Sequence, residues 1–372
     1  MAVSTGDLVQ NEDLVGLLER VGTVLGNGSG ANGYGQRVTS FENLKGVDTT
    51  NDVDNDHWNQ LRTDINTCSQ HQSNNNAVPD TITAGNIIGA DASGPSVTRI
   101  SGDTFSIDTA DADQGVNDWF SAVNTIETNA NQIAAGNFAL TTTRAFLANP
   151  ARLTSWGGAG QSQAITAEYS VNFQGGYQTT DTNGDVVTAS GADHLRHFFN
   201  AGGEIRVSAT LSGSTEKDTD WGTMLGNSGQ VVFGKNATTC TGTGLARDGS
   251  TDVNGNGLAD SALGSRQLTT GYQIIFKKNG SQAEYAENYW AVYAKRNVSY
   301  DTITFLLEFA DLDSGDQRPR EPGAGDPAGP GEDEPVLQSG GSMSAGLDLK
   351  RPNANVNILE PIPSVITDLR FT

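Results

Sequence analysis

The 372 residues carry a formal net charge of −22, with 22 basic side chains against 44 acidic ones. A surface this acidic repels phosphate backbones, and the densest basic runs are only Lys277–Lys278 and Lys295–Arg296, so no nucleic-acid partner is expected. Hydrophobic residues make up 35% and glycines number 45, which favours turn-rich β structure over a helical bundle.

In chain order, the opening residues lack a basic stretch followed by an apolar one, so no secretory leader is expected in this sequence. Residues 6–25 place Leu8, Leu14, Leu17, Leu18, Val21 and Leu25 at helical spacing, with Asn11 as a cap and Gly26 as a stop. The run "NGSGANGYG" (27–35) is a loop; it follows a helix and has no lysine, so it does not match a phosphate-binding loop. Residues 54–72 predict a second helix, capped by Asp54 or Asp56, whose apolar face is Trp58, Leu61, Ile65 and Cys68. Two such helices enclose little, so they are expected to dock on something larger, such as a sister subunit.

Residues 96–107 read as a short hairpin, and about 114–135 as a third helix with Trp119, Phe120, Val123 and Ile126 in its stripe. The segment "FALTTTRAFLANPARLTSW" leaves helix and strand open. From residue 160 the pattern changes to period two: 162–173, 204–212 and the runs around "VVF", "YQIIF", "YWAVY" and "TITFLLEF" are strands, and Asn183–Gly184 marks a hairpin turn. Residues 314–345 are rich in proline, glycine and acids and predict a long loop, after which the chain regains alternation and adds a final strand. The fold class read from this is α+β: an N-terminal helical region followed by a mainly antiparallel β-sandwich-like body. Its regions are 1–90 (helical, anchoring), 91–159 (mixed hairpin and helix) and 160–372 (β-rich body). No run of 18 apolar residues is present, so no membrane insertion is expected.

Three motifs bear on chemistry. His194 and His197, two of the four histidines, stand three apart beside Asp193. Zinc enzymes place two histidines four apart with an acid between them; here the spacing is three and Leu195–Arg196 intervene. The stretch reads instead as a helix capped by Asp193 and stopped at Asn200 and Gly202–Gly203, turning into a strand. Asp252, Asn254, Asn256 and Asp260 alternate around Gly257 like the first half of a calcium loop, but Leu263 stands where the loop's final glutamate belongs, so any Ca²⁺ site is weak and no other cofactor is expected. Tyr285, Tyr289, Trp290 and Tyr293 read as core and interface, or as a sugar-stacking row. No nucleophile–base pattern emerges. The two cysteines, Cys68 and Cys240, are expected to be free thiols.

Four blocks carry a resemblance: "LRTDINTCSQHQ" (61–72), "NDWFSAVNTIETNANQIA" (117–134), "ADHLRHFFNAGGEIRVSATLSGS" (192–214) and "KDTDWGTMLGNSGQVVFG" (217–234). Together they resemble virion structural proteins of tailed bacteriophages, notably those of marine cyanobacteria. The resemblance implies a tail, neck or fibre component assembled in the host cytoplasm. It implies partners in copies of itself and other virion proteins, with host attachment as a further role, and it brings no catalytic residue with it. Trp58, Leu61, Ile65, Trp119, Phe120, Phe198 and Phe199 are the residues expected at interfaces or in packing. The alternatives are a carbohydrate-binding adhesin or glycan depolymerase, and a capsid decoration or head-fibre protein.

Overall fold

The computed structural model describes residues 11–44, 55–78, 96–100, 104–108, 116–145, 164–213, 216–242, 263–280, 288–312 and 342–371. In chain order its helices are α1 (Asn11–Leu25), α2 (Thr39–Leu44), α3 (Asn55–Ser73), α4 (Val116–Thr128), α5 (Gly191–Asn200) and α6 (Glu216–Ser228). Its strands are β1 (Ser96–Ile100), β2 (Thr104–Asp108), β3 (Phe138–Ala145), β4 (Ala164–Asn172), β5 (Gln178–Thr180), β6 (Val186–Thr188), β7 (Glu204–Ser212), β8 (Val231–Phe233) and β9 (Thr238–Cys240). After these come β10 (Gln273–Asn279), β11 (Tyr289–Arg296), β12 (Thr302–Ala310), β13 (Ser342–Pro352) and β14 (Ile362–Phe371). The class is α+β, with helices first and antiparallel sheets after them.

Two units are interleaved along the chain. One gathers Met1–Ala139, Gln174–Gly203 and Arg351–Glu360; the other gathers Leu140–Phe173, Glu204–Lys350 and Pro361–Thr372. Boundaries placed at residues 90 and 159 from composition do not follow this division, because residues 174–203 and 351–360 return to the helical unit.

In the helical unit, α1 buries Leu14, Leu17, Leu18, Val21, Val24 and Leu25, the stripe its 3.6-residue period dictates. It packs on α3 and α4, and α2 packs on α3. Trp58 of α3 meets Trp119 of α4 edge to face, with centroids 5.0 Å apart. Arg20 on α1 grips Glu127 on α4 through Nε–Oε1 (2.9 Å) and Nη2–Oε2 (2.6 Å). The helices therefore do not stand as an isolated pair: α4 packs on both α1 and α3 within the chain. The third helix stops at Thr128 rather than near 135. The polar run after it turns instead, with Ala130 N–H donating to the Glu127 carbonyl and Gln132 N–H to that of Asn129.

The second unit holds two five-stranded sheets, ordered β10–β11–β12–β4–β14 and β3–β13–β7–β8–β9. Alternate residues point inward: Ile165, Ala167, Tyr169 and Val171 on β4, Ile205, Val207, Ala209 and Leu211 on β7, Ile303, Phe305, Leu307 and Phe309 on β12. Phe305 of one sheet meets Phe233 of the other edge to face at 5.4 Å, so the two inner faces share a core, as in a sandwich. Trp290 stacks on Phe309 (6.0 Å between centroids, 6° between planes) and donates Nε1–H to Ser228 Oγ at 3.1 Å, which ties β11 to the end of α6. The ambiguous segment after residue 137 forms a strand, β3. The tail forms two strands instead of one, and β13 begins at Ser342, inside the span expected to be loop. The register explains this last point: Met343, Ala345, Leu347 and Leu349 alternate inward opposite Leu211, Ala209, Val207 and Ile205 of β7. No helix among the described residues is long and apolar enough to cross a membrane.

Candidate functional site: a histidine corner and a polar cleft

The helical unit concentrates the polar side chains that are held in fixed geometry. Helix α5 begins with a capping box. Asp193 N–H donates to Ser190 Oγ (3.1 Å), and Ser190 N–H donates back to Asp193 Oδ2 (3.0 Å). The expected cap, Asp193, is thus the third helical residue and Ser190 is the cap; serine reaches the orphan amide from outside the helix while the acid meets the positive end of the dipole. The helix ends in a Schellman motif: Gly203 N–H donates to the Phe198 carbonyl (2.8 Å) and Gly202 N–H to that of Phe199 (3.1 Å), with Gly202 at φ +83°. Then β7 departs.

This helix aims both histidines inward, and both are buried. Nε2 of His197 lies 2.9 Å from the Asn27 carbonyl and Nε2 of His194 lies 2.7 Å from the Leu359 carbonyl. A carbonyl only accepts, so each Nε2 carries the proton and each Nδ1 is an acceptor. Nδ1 of His197 accepts from the Tyr177 hydroxyl (2.6 Å), and Nδ1 of His194 from Gly175 N–H (3.3 Å). Burial drives both rings toward neutrality, and His197 is lowered to about 4 with Arg196 adding repulsion. With the nitrogens of both rings engaged, the pair is a clamp rather than a ligand set. Among the described residues no group of three or more His, Cys, Asp or Glu side chains is placed to hold a metal ion.

Arg196 completes the clamp. It donates to the carbonyl of Asn32 (2.9 Å), to Asn27 Oδ1 (3.1 Å) and to Asp193 Oδ1 (2.8 Å). Burial alone would raise the Asp193 carboxyl, but Arg196 and Ser190 together hold it below the usual range. Asn200 Nδ2 also reaches the Asn32 carbonyl (2.8 Å). The glycine-rich loop 27–35 is therefore bound along its backbone by α5.

Beside this corner the helical unit opens a cleft of about 500 Å³, the volume of a small-molecule site. Tyr177, Gln178, Asp64, Arg351, Asn355 and Asn357 line it, with Leu25 and Leu359 contributing apolar edges. Asp64 is buried, and its Oδ2 accepts from Ser40 N–H (3.0 Å) and Ser40 Oγ–H (2.6 Å). Burial pushes its carboxyl up to about 6 despite those bonds. Tyr177 is raised by burial, so its hydroxyl stays protonated. No second carboxylate lines the cleft among the described residues, and the arrangement offers hydrogen bonds and cationic side chains rather than a nucleophile with its base.

The other residues singled out by sequence lie elsewhere. Trp58, Leu61, Ile65, Trp119, Phe120, Phe198 and Phe199 are all buried in the helical unit itself, where they serve packing. Asp252, Asn254, Asn256 and Asp260, the calcium-loop candidates, lie outside the described residues, as does Tyr285. Tyr289 and Trp290 are buried, so they do not form an exposed stacking row. Sequence reasoning missed Asp64 and Arg351. Asp64 carried a signal: it falls at the apolar stripe position between Leu61 and Ile65. Arg351 carried none, because its neighbours in space are brought by a return of the chain.

No family model matches the chain, and no curated protein or solved structure is found to be similar to it.

Proposed function

We propose that this chain is a structural component of a tailed-phage particle, acting in the tail, neck or fibre apparatus through self-association rather than through chemistry. One observation carries the assembly part of the reading: β14, an edge strand of the sandwich, exposes Ile362 (46%), Val365 (37%) and Ile366 (52%). Single exposed apolar residues are ordinary, but three along one edge strand, on both its faces, make this edge the candidate contact surface. The register shifts after Val365, and Pro363 lacks an N–H, so this edge is poorly suited to continuous strand addition. The contact is therefore made by side chains, and closed symmetry makes a homo-oligomer the default. Four sequence blocks resembling cyanophage virion proteins support the location, and three of them lie in the helical unit and at the α5–β7 corner. The same logic covers a head-fibre or decoration protein, which differs only in position on the particle.

Sedimentation of the full chain across a hundredfold concentration range tests this. The expected result is an oligomer that Ile362→Lys with Ile366→Lys returns to monomer while thermal unfolding is retained. A wild-type chain that stays monomeric throughout, and is absent from purified particles, overturns it.

A further inference from the structure

Among the described residues, the cleft of the helical unit holds a cation without a counterion, in a protein where acids outnumber bases two to one. Arg351 donates from Nη1 to the Ile358 carbonyl (2.8 Å) and to Asn357 Oδ1 (3.2 Å), which fixes its guanidinium plane. Its Nε is buried with no acceptor, and no carboxylate pairs with it among the described residues. The other cleft arginine, Arg37, contrasts with it: Glu42 engages it through two nitrogens and Gln178 Oε1 takes a third bond at 3.1 Å. A charge held in place and left unpaired at the edge of a cleft suits an anion, and a planar guanidinium suits a carboxylate in particular.

The remaining lining specifies more than an anion. Asn355 and Asn357 are exposed amides, Gln178 is exposed as well, and each amide both donates and accepts. Asp64 is fixed by Ser40 through one oxygen only, Oδ2. Amides and a carboxylate oxygen lining the same cleft as this arginine match a ligand carrying several hydroxyls and a single carboxylate. The volume admits one hexose-sized unit. We infer that this cleft binds a uronate unit, with its carboxylate on Arg351 and its hydroxyls on Asp64, Gln178 and Asn355. The inference is independent of the assembly role and of where the protein sits in a particle.

Calorimetric titration of the full chain with glucuronate, methyl glucuronide, glucose and inorganic sulfate tests it. Glucuronate is expected to bind at least tenfold more tightly than glucose, and sulfate to compete no better than glucose. Methyl glucuronide binding as well as the free acid identifies a glycan-linked unit as the natural source; free acid alone binding identifies a metabolite. Arg351→Gln is expected to erase the preference for the acid. Because Arg351 also braces Asn357 and Ile358, Asn355→Ala serves as the second variant: its side chain is exposed, and it is expected to weaken glucuronate severalfold with thermal unfolding unchanged. No binding of either glucuronate form, equal binding of glucose, sulfate binding as tightly as glucuronate, or full affinity in both variants overturns the inference.

Discussion

The Tyr177 hydroxyl donates to Nδ1 of His197 at 2.6 Å, and the histidine in turn donates its Nε2–H to the Asn27 carbonyl at 2.9 Å. One histidine thereby connects three segments far apart in sequence: the approach to the β5–β6 hairpin, helix α5 and the glycine-rich loop. Removing the donor leaves a buried acceptor without a partner, which costs about 1–3 kcal/mol. Tyr177→Phe is therefore expected to lower unfolding stability by that amount in urea titrations at neutral pH, with the denaturant slope unchanged. A loss under about 0.5 kcal/mol, the range of an ordinary surface change, would show that the bond is not made.

Acid is expected to weaken the fold through the same histidines. His197 and His71 are lowered to about 4 by burial, and His194 is lowered in the same direction. An unfolded histidine titrates near 6.5, so between about pH 6.5 and 4 the unfolded chain binds protons that the folded one refuses. Stability is fully present above that window and falls as pH drops through it. Asp64 acts in the opposite sense: its folded value of about 6 lies above the unfolded one, so protonating it relieves a penalty over the same range. Melting temperatures measured from pH 7.5 to 4 should fall, and Asp64→Asn should steepen the fall by removing the offset. A flat profile in the wild-type chain would contradict the neutral, buried state of the rings.

Gly35 is the position where the corner admits no side chain. Its φ is +70°, and a Cβ there would overlap the His197 ring at Nδ1. Gly35→Ala is expected to cost about 3 kcal/mol or more, combining left-handed strain with a displaced hydrogen bond. Gly16 provides the control: it lies within α1, and a methyl group added there would meet nothing within 4 Å, so alanine is expected to stabilise by up to about 1 kcal/mol. Denaturation midpoints of the two variants should move in opposite directions.

Much of the secondary structure was legible because it is written in local periods. The stripes of α1 and α3 and the alternation of β4, β7 and β12 each identify which residues are buried. They do not identify what buries them: Trp58 and Trp119 look alike whether they face a sister chain or each other. Helix α6 escaped because Gly222, Gly226 and Thr219 depress its helical propensity, although Trp221, Met224, Leu225 and Ser228 hold the spacing of a buried face. The cleft was illegible apart from Asp64. Arg351 and Asn357 join Tyr177 and Gln178 only because residues 351–360 return to the helical unit, and a long-range return leaves no mark in any window of twenty residues.

The alternation of the chain between its units also sets a timetable for folding. Strand β13 sits between β3 and β7, strand β14 sits beside β4, and residues 351–360 close one side of the cleft. A ribosome must release the chain through residue 360 before the helical unit has all its parts, and through β14 before the sandwich has its own. Until then β4 and β7 are held with open edges, and ring closures spanning well over a hundred residues remain unmade, a regime in which folding is slow and nascent chains associate wrongly. A single cut anywhere between residues 140 and 360 would split both units at once.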